Sequence, residues 1–205
     1  SRTAISSNPS AFSVTASTSA NAAILSIDVN SIGQRQSLKT SSLVDATNTS
    51  VGDASTAIGG GELTITTQQG DQFVVAIDAN QSTLADIATA INVANDNPGI
   101  QATIVNADSG PVLVLNAADT GKAHQMTLSV IDDDGNNTDA IGLSQLGFDP
   151  NNSPASSMQS ILDAENAEII VNGQLISSNS GSVFADVIEG VSVTVLSETT
   201  TTETA

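Results

Sequence analysis

With 205 residues the chain has room for two modest domains, and its 39% hydrophobic content, mostly alanine and small aliphatics with four Phe and neither Trp nor Tyr, implies thin aliphatic cores. Four basic residues against 22 acidic ones give a formal charge of −18, which repels nucleic-acid phosphates and anionic lipid heads and disfavours both as partners. No run reaches the roughly 20 apolar residues of a membrane helix, and the lack of Cys removes disulfides, thiolate catalysis and Cys-based metal sites.

The chain opens at Ser1 without an initiator methionine or a signal-peptide pattern and stops in the polar run 199–205, which reads as a piece excised from a longer protein. Phe12, Val14 and Ala16, then Leu25, Ile27 and Val29, alternate with polar residues and predict two strands. From Val44 to Gly61 the pattern gives way to Ser, Thr, Asp and Ala and ends in Gly59-Gly60-Gly61, a composition expected of a mobile hinge. Leu63 and Ile65, the turn Gln69-Gly70-Asp71, and Phe73, Val75 and Ile77 predict a hairpin. Ser82 is placed to cap a helix carrying Leu84, Ile87, Ala88 and Ile91, stopped by Asn97-Pro98-Gly99.

Three further strands follow, on Ile100 to Ile104, Val112 to Leu115 and Met126 to Val130. Asp149 to Pro154 reads as a linker, because two prolines among turn-formers continue neither strand nor helix. Beyond it Ala167, Ile169 and Val171 lead into Asn172-Gly173, a strong hairpin signal, then Leu175, and finally Val191, Val193 and Val195. The outer segments together offer about five strands, too few apart to bury a core. The expected architecture is therefore mainly β with one or two short helices (β-rich α+β): a discontinuous inner β domain of residues 1–48 plus 155–205, and an outer β-rich domain of residues 49–154 inserted into it.

Gly61-Glu62-Leu63-Thr64-Ile65, the segment Ser82 to Asn92 and Gly99 to Val105 resemble the Ile-Asn repeat of flagellar hook and filament proteins, and Val112 to Leu115, Asp119-Thr120-Gly121 and Met126 to Val130 continue it. Asp163 to Gly173, Phe184 to Val195 and Phe12 to Ser42 are similar to the flagellar filament cap family. That resemblance implies export through the flagellar apparatus, an extracellular place at the distal filament tip, a ring-shaped oligomer and flagellin as partner. It also implies that the helical legs lie outside this stretch, which forms a plate of two β-rich domains.

Asp132-Asp133-Asp134-Gly135-Asn136-Asn137-Thr138-Asp139 concentrates oxygen ligands of the kind calcium prefers. Yet Gly135 stands fourth and Leu143 twelfth, where an EF-hand needs Gly sixth and an acid twelfth, so the stretch reads as a solvated turn. His124, the single imidazole, is expected in a surface loop and leaves no redundancy for a nucleophilic triad. Sugar-cleaving carboxylate pairs usually sit beside aromatic platforms, which this chain lacks. No catalytic, cofactor-binding or metal residue is therefore assigned. The expected role is structural and non-enzymatic, supporting flagellin assembly, with an adhesin-type module at the flagellar tip as the alternative. Like-charge repulsion predicts that this stretch alone is monomeric or weakly associating.

Overall fold

Alternation of apolar and polar residues gives each strand one buried face, and the core forms where those faces meet. A computed structural model describes residues 2–152 and 157–199. In chain order it contains β1 (Phe12–Ala16), β2 (Ile27–Gln34), β3 (Ser37–Lys39), β4 (Gly61–Thr67), β5 (Gln72–Ile77), helix α1 (Leu84–Val93), β6 (Gln101–Ala107) and β7 (Gly110–Asn116). There follow β8 (Met126–Asp132), β9 (Gln159–Leu162), β10 (Glu165–Val171), β11 (Gln174–Ser178), β12 (Val183–Ile188) and β13 (Val191–Val195), with 3-10 turns at Lys122–His124 and Gly142–Leu146. The protein is mainly β, as expected.

The chain divides into two compact units, residues 1–34, 119–122 and 164–205, and residues 35–118 and 123–163. The first holds two three-stranded sheets, β1-β13-β12 and β11-β10-β2. They share a core of Phe12, Phe184, Val193 and Val195 from one sheet and Val29, Ala167, Ile169 and Val171 from the other. Six strands contribute where the sequence suggested about five, since β12 hides behind a register shift and Asp186 at φ +49°. The hairpin at Asn172-Gly173 joins β10 and β11 in antiparallel register, with Asn172 at φ +48° as such a tight turn requires.

The second unit holds the sheets β6-β7-β3-β9 and β5-β4-β8 and α1. Leu63, Ile65, Phe73, Val75, Leu84, Ile87, Ile91, Leu113, Leu115, Met126 and Leu128 meet in its core. Its ends differ from the sequence-based boundaries at 48/49 and 154/155, the latter lying outside the described residues. The reason is β3 and β9: β3 pairs with β7 on one side and β9 on the other, which draws residues 35–48 and 157–163 into this unit. Of the expected linker at 149–154, Ser153 and Pro154 also lie outside the described residues.

Two local expectations are corrected. Thr83, not Ser82, caps α1: Thr83 Oγ1 accepts from Asp86 N–H and the Asp86 carboxylate accepts from Thr83 N–H, a capping box. Ser82 is buried instead, accepting from Gly59 N–H at 3.2 Å and donating to Ala79 O at 3.1 Å. The segment from Val44 to Gly61 is tied down rather than free. Asp45 accepts the N–H groups of Thr47 and Thr49, Asp53 that of Ser55, and Val51 and Ile58 are buried.

The glycine run is a close-approach segment rather than a hinge. A Cβ on Gly61, at φ +145°, would stand 2.2 Å from Ile131 O, and one on Gly60 would stand 2.5 Å from the Asp133 carboxylate. Gly61→Ala is accordingly expected to lower unfolding stability by about 3 kcal/mol, combining backbone strain with overpacking. Urea denaturation of the variant beside Gly70→Ala, a turn position with open space around it, checks that the loss comes from the contact.

Candidate functional site

The acidic loop is the first place to look for a ligand, and its first carboxylate, Asp132, turns inward while Asp133 and Asp134 stay exposed. Met126, Leu128, Val130 and Asp132 occupy the buried face of β8, so Asp132 is only 6% exposed. Its Oδ2 accepts from Ser144 N–H at 2.8 Å, while its own N–H donates to Asn137 Oδ1 at 2.8 Å. Ser144 Oγ in turn donates to Asp139 Oδ1 at 2.7 Å. Asp132 and Asp139 thus meet on one serine and hold the 3-10 turn Gly142–Leu146 against β8. Among the described residues no group of three or more His, Asp or Glu side chains is arranged to hold a metal ion.

Burial pushes the Asp132 carboxyl above the usual aspartate range, the N–H groups of Ser144 and Asp134 pull it back, and the charges of Asp134 and Asp139 add to the rise. His124 lies half-buried in the turn Lys122–His124 rather than on an open loop. One cleft of the second unit is lined by Asn92, Asn97, Gln101 and Thr103 and carries no titratable side chain. Another is lined by Lys39 with the hydroxyls of Thr40, Ser41, Ser42, Ser50 and Ser109, and Lys39 is its one ionisable group.

The pair Ile91-Asn92 has a distinct physical role. Ile91 is fully buried beneath α1, as helical periodicity requires, and Asn92 turns toward the edge of β6. There its Nδ2 donates to Ala102 O and its Oδ1 accepts from Ala102 N–H, both at 2.8 Å, so the carboxamide pairs with the strand as another backbone would. Asn97 closes the return loop, donating to Ile91 O and Ile100 O and accepting from the N–H groups of Gly99 and Ile100. One residue anchors the helix in the core; the next seals a sheet edge.

Two outward sheet faces carry hydroxyls rather than charge. On β4 and β8 these are Thr64, Thr66, Thr127 and Ser129, flanked by half-exposed Val74 and Ile131, with Glu62 the one acid among them. On β1 and β13 they are Ser13, Thr15, Ser192 and Thr194, with no acid at all. Sequence reasoning missed these faces because it looked for reactive groups, and their signal is the polar half of each alternation.

Asn92→Ala should remove both bonds to Ala102 and cost about 1–3 kcal/mol, measured by denaturant unfolding, with Asn92→Asp no rescue because its carboxylate faces Ala102 O. Asp132 supplies a pH test. Its folded-state value is raised, so the folded chain holds that proton more tightly, and the stabilisation is fully present below the unfolded value near about pH 4 and lost as pH rises through the folded value. Asp132→Asn, which keeps an acceptor for Ser144, should abolish that fall and be at least as stable as the parent at neutral pH in parallel melts.

Residues 62–119, which contain α1, Ile91 and Asn92, match the family model described as the flagellin hook IN motif. Over 196 residues, 93% of this chain and 39% of the relative, the sequence is 35% identical to the B-type flagellar hook-associated protein 2 of Pseudomonas aeruginosa. The chain spans about two fifths of the length of the curated relatives it matches. Among solved structures it is similar to the D1-D2-D3 domains of the flagellar cap protein FliD from Escherichia coli, with a TM-score of 0.75, 31% identity and coverage of 93% of this chain and 52% of that one. The D2-D3 domains of the Escherichia coli protein give a TM-score of 0.73 at 30% identity, covering 93% of this chain and 91% of that one. With its fold, its Ile-Asn segment and this two-way coverage, the chain belongs to the family of flagellar hook-associated protein 2, the flagellar cap proteins.

Proposed function

We propose that this chain is the plate of a filament cap, placed outside the cell at the distal tip of the flagellum, where a ring of such plates supports the folding and addition of incoming flagellin. In this reading the first unit is the inner domain of the plate and the second the inserted outer domain. The observation that carries it is the near-complete mutual coverage with a solved pair of cap-protein domains. Its physical support is an Ile-Asn segment whose bonds are internal to the fold, so the stretch that carries the family likeness serves as scaffold. The plate acts without turnover. The adhesin alternative draws no support from the relatives or from either cleft.

An in-frame deletion of this segment from the parent gene, paired with immunogold labelling of the intact protein on cells, tests the proposal. Label confined to filament ends, with filaments short or missing in the deletion strain, is the expected result. Normal filaments in the deletion strain, or label spread over the cell body, would remove the cap reading.

A further inference from the structure

Acids tie many of this chain's loops. Asp45, Asp53, Asp78, Asp134, Asp139 and Asp149 each accept the N–H of the residue two places on, which closes a local turn and holds the backbone in place. The connection from β1 to β2 has no acid to do this, because residues 3–27 carry no charged side chain. Its near end is closed by Ser17, whose C=O accepts from Ala20 N–H and whose Oγ accepts from Ser19 N–H, and Ala20 is buried. Its far end is closed by Ser26, which bonds Asn172 through both its backbone groups. Between these ends no residue from Asn21 to Leu25 makes a hydrogen bond among the described residues. Asn21, Ala22, Ala23 and Ile24 are all exposed, and the Ile24 side chain is 99% exposed.

The basic residues stand in firmer backbone. Lys39 lies in β3, which is paired on one side with β7 and on the other with β9. Lys122 N–H donates to Asn166 Oδ1, and its neighbours Gly121 and Ala123 are buried. Arg35 is followed by buried Gln36, whose C=O accepts from Ala117 N–H. Arg2 stands at the beginning of the sequence, so a cut there takes off only Ser1-Arg2.

We propose that Asn21–Leu25 is a proteolytic cleavage site for enzymes with a small aliphatic specificity pocket, of the elastase type, while the fold withholds Arg35, Lys39 and Lys122 from enzymes of the trypsin type. A protease must draw several residues into its cleft in extended form, so the barrier to cutting is set by the bonds that have to be released first. Over these five residues there are none to release, and Ala22 and Ala23 carry side chains that fit a small pocket. Hydrolysis adds water across the Ala22–Ala23 or the Ala23–Ile24 bond and leaves a carboxylate on one side and an amine on the other.

Brief digestion of the folded chain with pancreatic elastase, read by intact mass, should give products that end at Ala22 or Ala23, while trypsin leaves residues 3–205 whole. Two variants test the backbone argument apart from the choice of enzyme. Ile24→Arg puts a trypsin site in the untied segment, and Ala46→Arg puts one at an exposed position in the loop that Asp45 ties. Both positions face solvent, so both variants should melt with the parent. Trypsin should cut Ile24→Arg about tenfold faster than Ala46→Arg, because the rate follows the population of the open segment. Absence of an elastase cut between Ala22 and Leu25, rapid trypsin cleavage of the parent at Arg35, Lys39 or Lys122, or equal trypsin rates for the two variants would overturn the proposal.

Discussion

Carboxylates outnumber basic side chains 22 to four, so ion pairing cannot be the general means of tying this chain's loops to its sheets, and neutral amides fill that role. Asn92 pairs with both backbone groups of Ala102, and Gln145 does the same to Val44, donating to its C=O at 2.7 Å and accepting from its N–H at 3.0 Å. Gln36, fully buried, accepts from Met126 N–H. An amide offers a donor and an acceptor at the spacing of a peptide group without carrying charge into a low-dielectric interior. Remove these pairs and the helix loses its hold on β6, and the 3-10 turn its hold on the loop that starts at Val44.

The acids fall mainly in turns, where water solvates them and where their oxygens satisfy local N–H groups. Asp53 is exposed and Asp45 partly so, and both are pulled below the usual aspartate range, chiefly by the backbone N–H groups of Ser55 and Thr49 respectively. Asp132 is the counterexample, a carboxylate on the inner face of a strand whose ionised form is opposed by burial. One sequence therefore carries acids that favour the fold when charged and one that favours it when neutral.

Long alternating strands were legible because each buries one face, and Ile91 was legible as core because α1 keeps helical spacing. β3 and β9 were not. Three and four residues long, they show no alternation of their own and exist through pairing with partners distant in sequence, Leu38 with Leu115 and Ser37 with Leu162. Asp132 misled in an instructive way: parity with Met126, Leu128 and Val130 put it inside, while three consecutive acids suggested a solvated turn. Asn92 beside Ile91 was visible as a pair, but its purpose depends on Ala102, which only the folded return of the chain brings to it. The glycine run was read from composition as freedom, whereas contact with Ile131 O makes it a constraint.

The same division between faces and turns bears on assembly. A sheet face of Thr and Ser hydroxyls stays hydrated and gives little area for hydrophobic burial, so contact through it alone is weak. Scattered half-exposed Val74 and Ile131 do not change this, because Thr64 and Glu62 stand between them in register. Directional backbone bonding at an edge needs no apolar patch and is stopped by a single charge, bulge or covering residue, and the chain applies such a guard at β2, β6, β8 and β12.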